Sequence, residues 1–524
     1  VNLLLLAALG VAAAGSQGGY MVLPPEGPAG TGGGWIGALV DDALPRELAF
    51  LGLPVVLRGD RIRAFEGLSI PPVSLSRATA IRAAEALGVS RLLVGRVETE
   101  GEGAPSGRVK LFVSVLDVER GALGEPLVAS GALAALPQLV KRLAWDVALT
   151  TSTPPTVTSG EYFGRGPKPP LAALRAYARA LLARDSPTRL RQLERALRLW
   201  PFFDEARLAL GELYLDEGQR PSALRVLEGV PRGSALRRAA RFLAGRAELD
   251  EGRYGEAVAL YDELVTESAT PGALNNLALA VLRRESSPEP GRAARRASDV
   301  LRRATEIDPG LAEPAFNLGW ALLVEGEPEG AAFWIRGTLR DDPKDVHARL
   351  ALVWSLRRAG RAEEAEEEWR DLLALAPSYE GLGTPDLARR FERVMSAESP
   401  PALKPDRWGD AQVAASHVGR ALRLGEEGDL DGAFAELTQA AYLDPYSARA
   451  HLELGRLHGT RGRGDLAVGE LRMSLWCRND PAVRVELARR LQEMGRGDEA
   501  RAEARTALQD DPANLEARSI AAGR

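Results

Sequence analysis

The spacing of apolar positions changes near residue 150. Before that point, short apolar runs alternate with helix-length stretches. "YMVLPP" (20–25) reads as a strand, "WIGALVDDALPRELAFLG" (35–52) as a helix and "LPVVLRGDRIRA" (53–64) as a second strand. "SLSRATAIRAAEALGV" (74–89) opens on Ser and Thr, which cap helix starts, and reads as a helix. "RLLVGRVETE" (91–100) and "GRVKLFVSVLDVERG" (107–121) alternate with a period of two about a Gly/Glu-rich turn, the pattern of paired strands. "LPQLVKRLAWDVALTT" (136–151) closes the region as an amphipathic helix. The pattern predicts a small α/β domain over 18–150. Residues 151–170, "TSTPPTVTSGEYFGRGPKPP", have the Thr, Ser, Pro and Gly content of a linker.

From residue 171 onward the strand pattern gives way to paired helices separated by short Gly-containing turns. Pro309, Pro343 and Pro377 are spaced by 34 residues, and Pro445 follows 68 further on. Leu210-Gly211, Leu318-Gly319 and Leu454-Gly455 lie nine and ten residues after Pro201, Pro309 and Pro445. Turn glycines are followed five residues later by alanine in Gly218/Ala223, Gly252/Ala257, Gly326/Ala331, Gly360/Ala365, Gly428/Ala433, Gly462/Ala467 and Gly495/Ala500. A fixed period of this length marks stacked two-helix hairpins. One hairpin cannot bury its apolar face alone, so its neighbours must cover it. Gly and Ala fit where two helix backbones meet, the turn glycine ends the first helix, and proline ends the second.

These features resemble the tetratricopeptide repeat family: period 34, Leu-Gly in the first helix, a large residue shortly after it (Tyr214, Leu322), Ala in the second helix and a closing Pro. The resemblance spans about 171–515 and implies an all-α solenoid of eight or nine hairpins that binds other proteins. The chain as a whole is therefore expected to be mostly α: an α/β amino-terminal domain followed by the repeat solenoid. The repeat near Ala273 carries the insert "SSPEPG". Residues 380–407 hold a helix-like piece, "TPDLARRFERVMSAES", and then a Pro-rich break, "PPALKPDRW". This reads as a degenerate repeat that separates one block of repeats, 171–379, from a second, 408–524. The amino-terminal "VLPP", the Gly-rich loop and "AEALGVSRLLVGRV" are similar to the small α/β domains of bacterial envelope proteins. The amino-terminal domain of TolB and its curli-secretion and flagellar-envelope relatives are examples. That resemblance implies an envelope location and protein contacts, and no reaction.

Composition narrows the function. The chain has 524 residues, 45% hydrophobic and 27% charged, with a net charge of −5. This favours neither nucleic acid nor a membrane surface as partner. "LLLLAALGVAAAGSQ" (3–17) is shorter than a membrane span and reads as the apolar part of a secretory signal, so 1–17 is expected to be a leader and the mature chain to be exported to the periplasm or cell envelope. Cys477 is the sole cysteine, which excludes an internal disulfide and a cysteine-clustered metal site. His347, His417, His451 and His458 are the four histidines, and none lies in a metal-protease arrangement. The loop "GPAGTGGGW" (27–35) follows a strand and precedes a helix, as a phosphate cradle does, but it lacks both the P-loop and the dinucleotide spacing. No catalytic set stands out, so a non-enzymatic scaffold without a cofactor is expected. The alternatives are a structural subunit of an envelope secretion or assembly complex and, after it, an enzyme in the α/β domain with the repeats selecting substrates.

The candidate site lies on the first helices of the middle repeats. Leu318 and Leu322 point to their partner helix, which places Phe316, Asn317, Trp320 and Val324 on another face, the one that lines the concave groove in the resembled family. Asn276 precedes Leu277 as Asn317 precedes Leu318, and Trp354 stands one repeat after Trp320, with His347 and Arg357 alongside. Asn276, Phe316, Asn317, Trp320, His347, Trp354 and Arg357 are the expected contacts of a protein or peptide partner. The two asparagines resemble an asparagine ladder that bonds an extended backbone. The alternative is that the tryptophans pack between hairpins.

Overall fold

The computed structural model describes residues 19–27, 34–67, 70, 75, 77–100, 107–151, 155, 157–166, 169–284, 290–380, 391–398 and 406–523. The expected leader, residues 28–33 of the Gly-rich loop, residues 286–289 of the "SSPEPG" insert, and residues 381–390 and 399–405 of the expected break lie outside them. The chain divides into two units, 1–268 with 397–405 and 269–396 with 406–524.

In the first unit, alternation along the strands makes both faces of a sheet apolar. Strands β1 (Gly19–Val22), β2 (Val55–Val56), β3 (Val89–Glu100), β4 (Arg108–Asp117) and β5 (Leu127–Ala132) lie in the order β2-β1-β3-β4-β5. β1 runs parallel to β2 and β3, whereas β3, β4 and β5 are antiparallel in turn. Tyr20, Val22, Leu93 and Val97 pack against helices α1 (Gly34–Phe50) and α4 (Leu136–Leu149). Met21, Leu92 and Leu116 face the other way, against α2 (Arg58–Gly67) and α3 (Arg77–Ala86). Two features differ from the sequence reading. The strand expected over 53–64 lasts only Val55–Val56, and α2 begins at once. Its Arg61 is buried one turn before Ala64 and is held by two hydrogen bonds to the Asp41 carboxylate, at 2.6 and 2.8 Å. β5 was not anticipated, because "LVASGA" is an edge strand that buries only Ala129 and has no apolar alternation.

The stretch 151–170, expected to be a linker, is not a spacer where it is described. Thr158 and Glu161 form a capping box at the start of α5 (Ser159–Gly164). Tyr162 is fully buried, with Trp145 stacked at 5.4 Å, and donates a 2.9 Å hydrogen bond to Glu47. Beyond it, Tyr177 donates at 2.9 Å to Asp42 of α1. The sheet layer and the first hairpin helices therefore share one apolar core. The unit contains three hairpins: α6 (Leu171–Leu182) with α7 (Ser186–Leu199), α8 (Asp204–Asp216) with α9 (Arg220–Glu228), and α10 (Arg237–Asp250) with α11 (Tyr254–Glu267).

The second unit has no strand among its described residues and is built from helical hairpins. Its hairpins are α12 (Pro271–Arg284) with α13 (Pro290–Ile307), α14 (Ala312–Glu325) with α15 (Pro328–Asp341), and α16 (Val346–Arg358) with α17 (Ala362–Leu375). After the connecting segment come α18 (Asp406–Glu426) with α19 (Leu430–Leu443), α20 (Ala448–Thr460) with α21 (Gly464–Cys477), α22 (Pro481–Glu493) with α23 (Gly497–Asp510), and a final α24 (Leu515–Ala521). The Leu-Gly pair has a steric role. A Cβ added to Gly319 would lie 2.6 Å from Ile335 Cγ1. Gly326, at φ 101°, ends α14 in the left-handed region that L side chains avoid.

The later hairpins dock on the outer helices of the earlier ones. Trp334 of α15 stacks on Tyr446 with centroids 4.3 Å apart and planes at 5°. Its indole N–H and the Arg302 guanidinium of α13 both donate to the Trp476 carbonyl, at 3.2 and 3.1 Å. Gly337 makes room for Tyr446: a Cβ there would fall 1.5 Å from the Tyr446 hydroxyl. Cys477 is buried in the same core, and burial pushes its thiol pKa well above the ordinary range.

Two measurements test this packing. Gly319→Ala should lower the urea unfolding midpoint, with a loss of about 1–3 kcal/mol from overpacking, although alanine is the better helix former by about 1 kcal/mol. Cys477 should react with a thiol reagent only in denaturant; fast labelling of the native chain would contradict the burial.

Candidate functional site

The first helices of three successive hairpins, α12, α14 and α16, set their inward residues side by side. Each is apolar nearly all round because both of its faces are covered. Their inner side carries Asn275 and Asn276, then Phe316, Asn317 and Trp320, then His347 and Trp354. The three asparagines are 0%, 0% and 1% exposed. Buried amides need partners, and these find them on the chain itself.

Residues 391–395 cross this inner side without helix or strand structure. Asn317 accepts from the Arg393 N–H at 2.8 Å and donates to the Arg393 carbonyl at 2.8 Å. Asn276 does the same with Met395, both at 2.9 Å. Asn275 donates to the Arg393 carbonyl at 2.9 Å and to Asn276 at 3.1 Å, and accepts from Asn317 at 2.8 Å. Asn276 and Asn317 each turn one N–H and the amide oxygen to the segment, as a peptide group does, and Asn317 uses its second N–H on Asn275. The two, engaging alternate residues, imitate the neighbouring strand of a ladder.

Side chains fill the remaining space. Phe391 sits between Trp320, Trp354 and His347, at ring distances of 5.5, 5.7 and 5.2 Å. The Arg393 guanidinium lies 3.8 Å over the Phe316 ring and pairs with Asp345. Met395 is 3% exposed. Glu392 pairs with Arg283 of α12 at 3.5 Å.

Six of the seven sequence-chosen residues therefore surround this segment: Asn276, Phe316, Asn317, Trp320, His347 and Trp354. Arg357 does not. It is exposed and its guanidinium lies 5.0 Å over Trp369. The tryptophans take part in both expected arrangements, since Trp320 and Trp354 contact each other at 6.1 Å and close over Phe391. Asn275, Asp345 and the segment itself were missed. The doubled "NN" was the available signal for Asn275. The helix expected in "TPDLARRFERVMSAES" is absent from Phe391–Met395, because the asparagine amides take up the backbone groups that a helix would pair internally. Residues 384–390 of that piece lie outside the described residues.

Residues 208–273, 242–312 and 316–380 match the tetratricopeptide repeat family. The chain carries tetratricopeptide repeats, and α12, α14 and α16 belong to the matched stretches. No curated protein matches the chain. Among solved structures it is similar to YrrB, titled a TPR protein with an unusual peptide-binding site, at 16% identity, 36% coverage of this chain and 94% of that one, with a TM-score of 0.30. It is also similar to MamA from Desulfovibrio magneticus RS-1, at 19% identity, 34% and 97% coverage, with a TM-score of 0.30.

Trp320→Ala should cost roughly 3–5 kcal/mol of stability as a buried aromatic truncation. Asn317→Ala should cost about 1–3 kcal/mol, because the Arg393 backbone loses its partners. Unfolding midpoints of the two variants decide it; an unchanged midpoint for Asn317→Ala means the segment is not held by this amide.

Proposed function

We propose that the chain is a non-enzymatic scaffold that holds a protein or peptide partner in extended form along α12, α14 and α16. One observation carries this reading: Asn276 and Asn317 each exchange both backbone hydrogen bonds with alternate residues of an extended segment. Such bonds ignore side-chain identity, so the same amides serve any extended chain. Aromatic residues in a desolvated centre supply most of the energy of such contacts. Among the described residues, no group of His, Cys, Asp and Glu is arranged to hold a metal ion, and no helix is long and apolar enough to cross a membrane.

The test uses the Phe391→Ala chain, in which the resident segment has lost its aromatic anchor. Peptides selected on it from a random library should lose binding when Asn276→Ala and Asn317→Ala are added and helicity is retained. Equal binding to both chains overturns the groove reading.

We further propose export to the periplasm or cell envelope, on the strength of the apolar run at 3–17. Fractionation with amino-terminal sequencing should find a chain lacking Leu3–Leu6 in the envelope fraction. A cytoplasmic pool that retains them overturns it.

A further inference from the structure

The occupant of the groove has a definite chemistry. Phe391, Arg393 and Met395 alternate along extended backbone, and each has its own seat. We propose that residues 391–395 are a cis-acting competitor for the groove, and that its trans ligand is an extended segment presenting an aromatic residue, an arginine and an apolar residue at alternate positions. This deepens the scaffold reading above and rests on it.

Affinity and preference are separable here. On the segment, Asn276 and Asn317 bond backbone atoms, and every extended chain offers the same ones. Preference resides in the seats. Trp320, Trp354 and His347 form a ring-lined slot that fits an aromatic side chain edge-on. Phe316 and Asp345 together offer a π face and a carboxylate, a combination that suits a planar guanidinium better than an ammonium. The third seat takes Met395 out of water. The Glu392–Arg283 pair lies off these three seats and adds a charge contact of its own.

The segment is placed so that it can be exchanged. Residues 391–395 form no helix or strand and lie between α17 and α18, so their leaving breaks no helical hydrogen bond. On departure the three asparagine amides would exchange the segment's backbone for water. A tethered segment acts at an effective concentration on the order of millimolar. A free segment with the same seats therefore competes poorly against the intact chain and well against one whose tethered side chains are gone.

The experiment uses the full chain and a fluorescein-labelled peptide of residues 389–397, read by fluorescence anisotropy. Phe391→Ala/Arg393→Ala/Met395→Ala in the protein keeps the tether and empties the seats. This chain should bind the peptide about ten-fold or more tighter than wild type, given the removed intramolecular competition. A peptide of the same composition in scrambled order should bind the variant clearly more weakly, and adding Asn317→Ala should abolish binding. If the triple variant loses helicity, Arg393→Glu, which sets a carboxylate against Asp345 in the partly buried arginine seat, provides the same comparison. Equal affinity for wild type and variant overturns the competitor assignment. Equal binding of the scrambled peptide overturns the stated ligand chemistry. A wild-type chain that sediments as a dimer and becomes monomeric in the triple variant overturns the cis assignment in favour of a second copy. If library peptides bind in an Asn317-dependent way but the 389–397 peptide binds neither chain, the scaffold reading stands and this inference falls.

Discussion

A helical hairpin has more apolar surface than its own two helices can cover, and in the second unit that constraint acts on two sides at once. The layer formed by α12 to α17 is apolar towards the groove and towards its outer helices. Its outer side is closed by the chain that follows it: Tyr446 stacks on Trp334, and the Trp476 carbonyl accepts from Arg302 and Trp334. Its inner side is closed by the segment that precedes those helices, through Phe391 and Met395. Residues 391–395, between α17 and α18, thus lie in the groove, and the hairpins after them pack on the opposite face.

The two closures use different chemistry. The outer one relies on shape. Gly330 and Gly337 lack a Cβ where Trp476 and Tyr446 press in, and a side chain at either position meets an aromatic ring. Fits of this kind are specific and costly to alter. The inner one relies on three amides and a few seats, with backbone atoms as the principal targets. That arrangement has the features of a binding site, in which polar groups positioned by rigid helices receive an extended chain.

The first unit meets the same constraint with a sheet. Its strands bury residues on both faces because α1 and α4 cover one and α2 and α3 the other. Its first hairpin helices join the α1 and α4 side, with Tyr162 and Tyr177 tying the layers through Glu47 and Asp42. A Thr- and Pro-rich composition suggested a spacer at 151–170, but the aromatic pair Tyr162-Phe163 within it packs with Trp145. Composition averaged over twenty residues hid the two that mattered.

The repeats were legible in the sequence because their rules are local. A turn glycine, a small residue where helices touch and a closing proline each answer a steric demand inside one hairpin, so the period of 34 shows wherever the hairpin recurs. The inner face was legible for the same reason: helical spacing alone sets Asn317 and Trp320 on one side and Leu318 on another. What occupies that face was not. Phe391 to Met395 has the composition of a helix, and only three amides brought together from two separate helices give its backbone a better set of partners. Arg357 shares the sequence neighbourhood of Trp354, but its guanidinium lies over Trp369. The pairing of Asn276 with Met395 joins residues 119 apart. Contacts at that separation follow no period, so the tertiary structure alone decided what fills the groove.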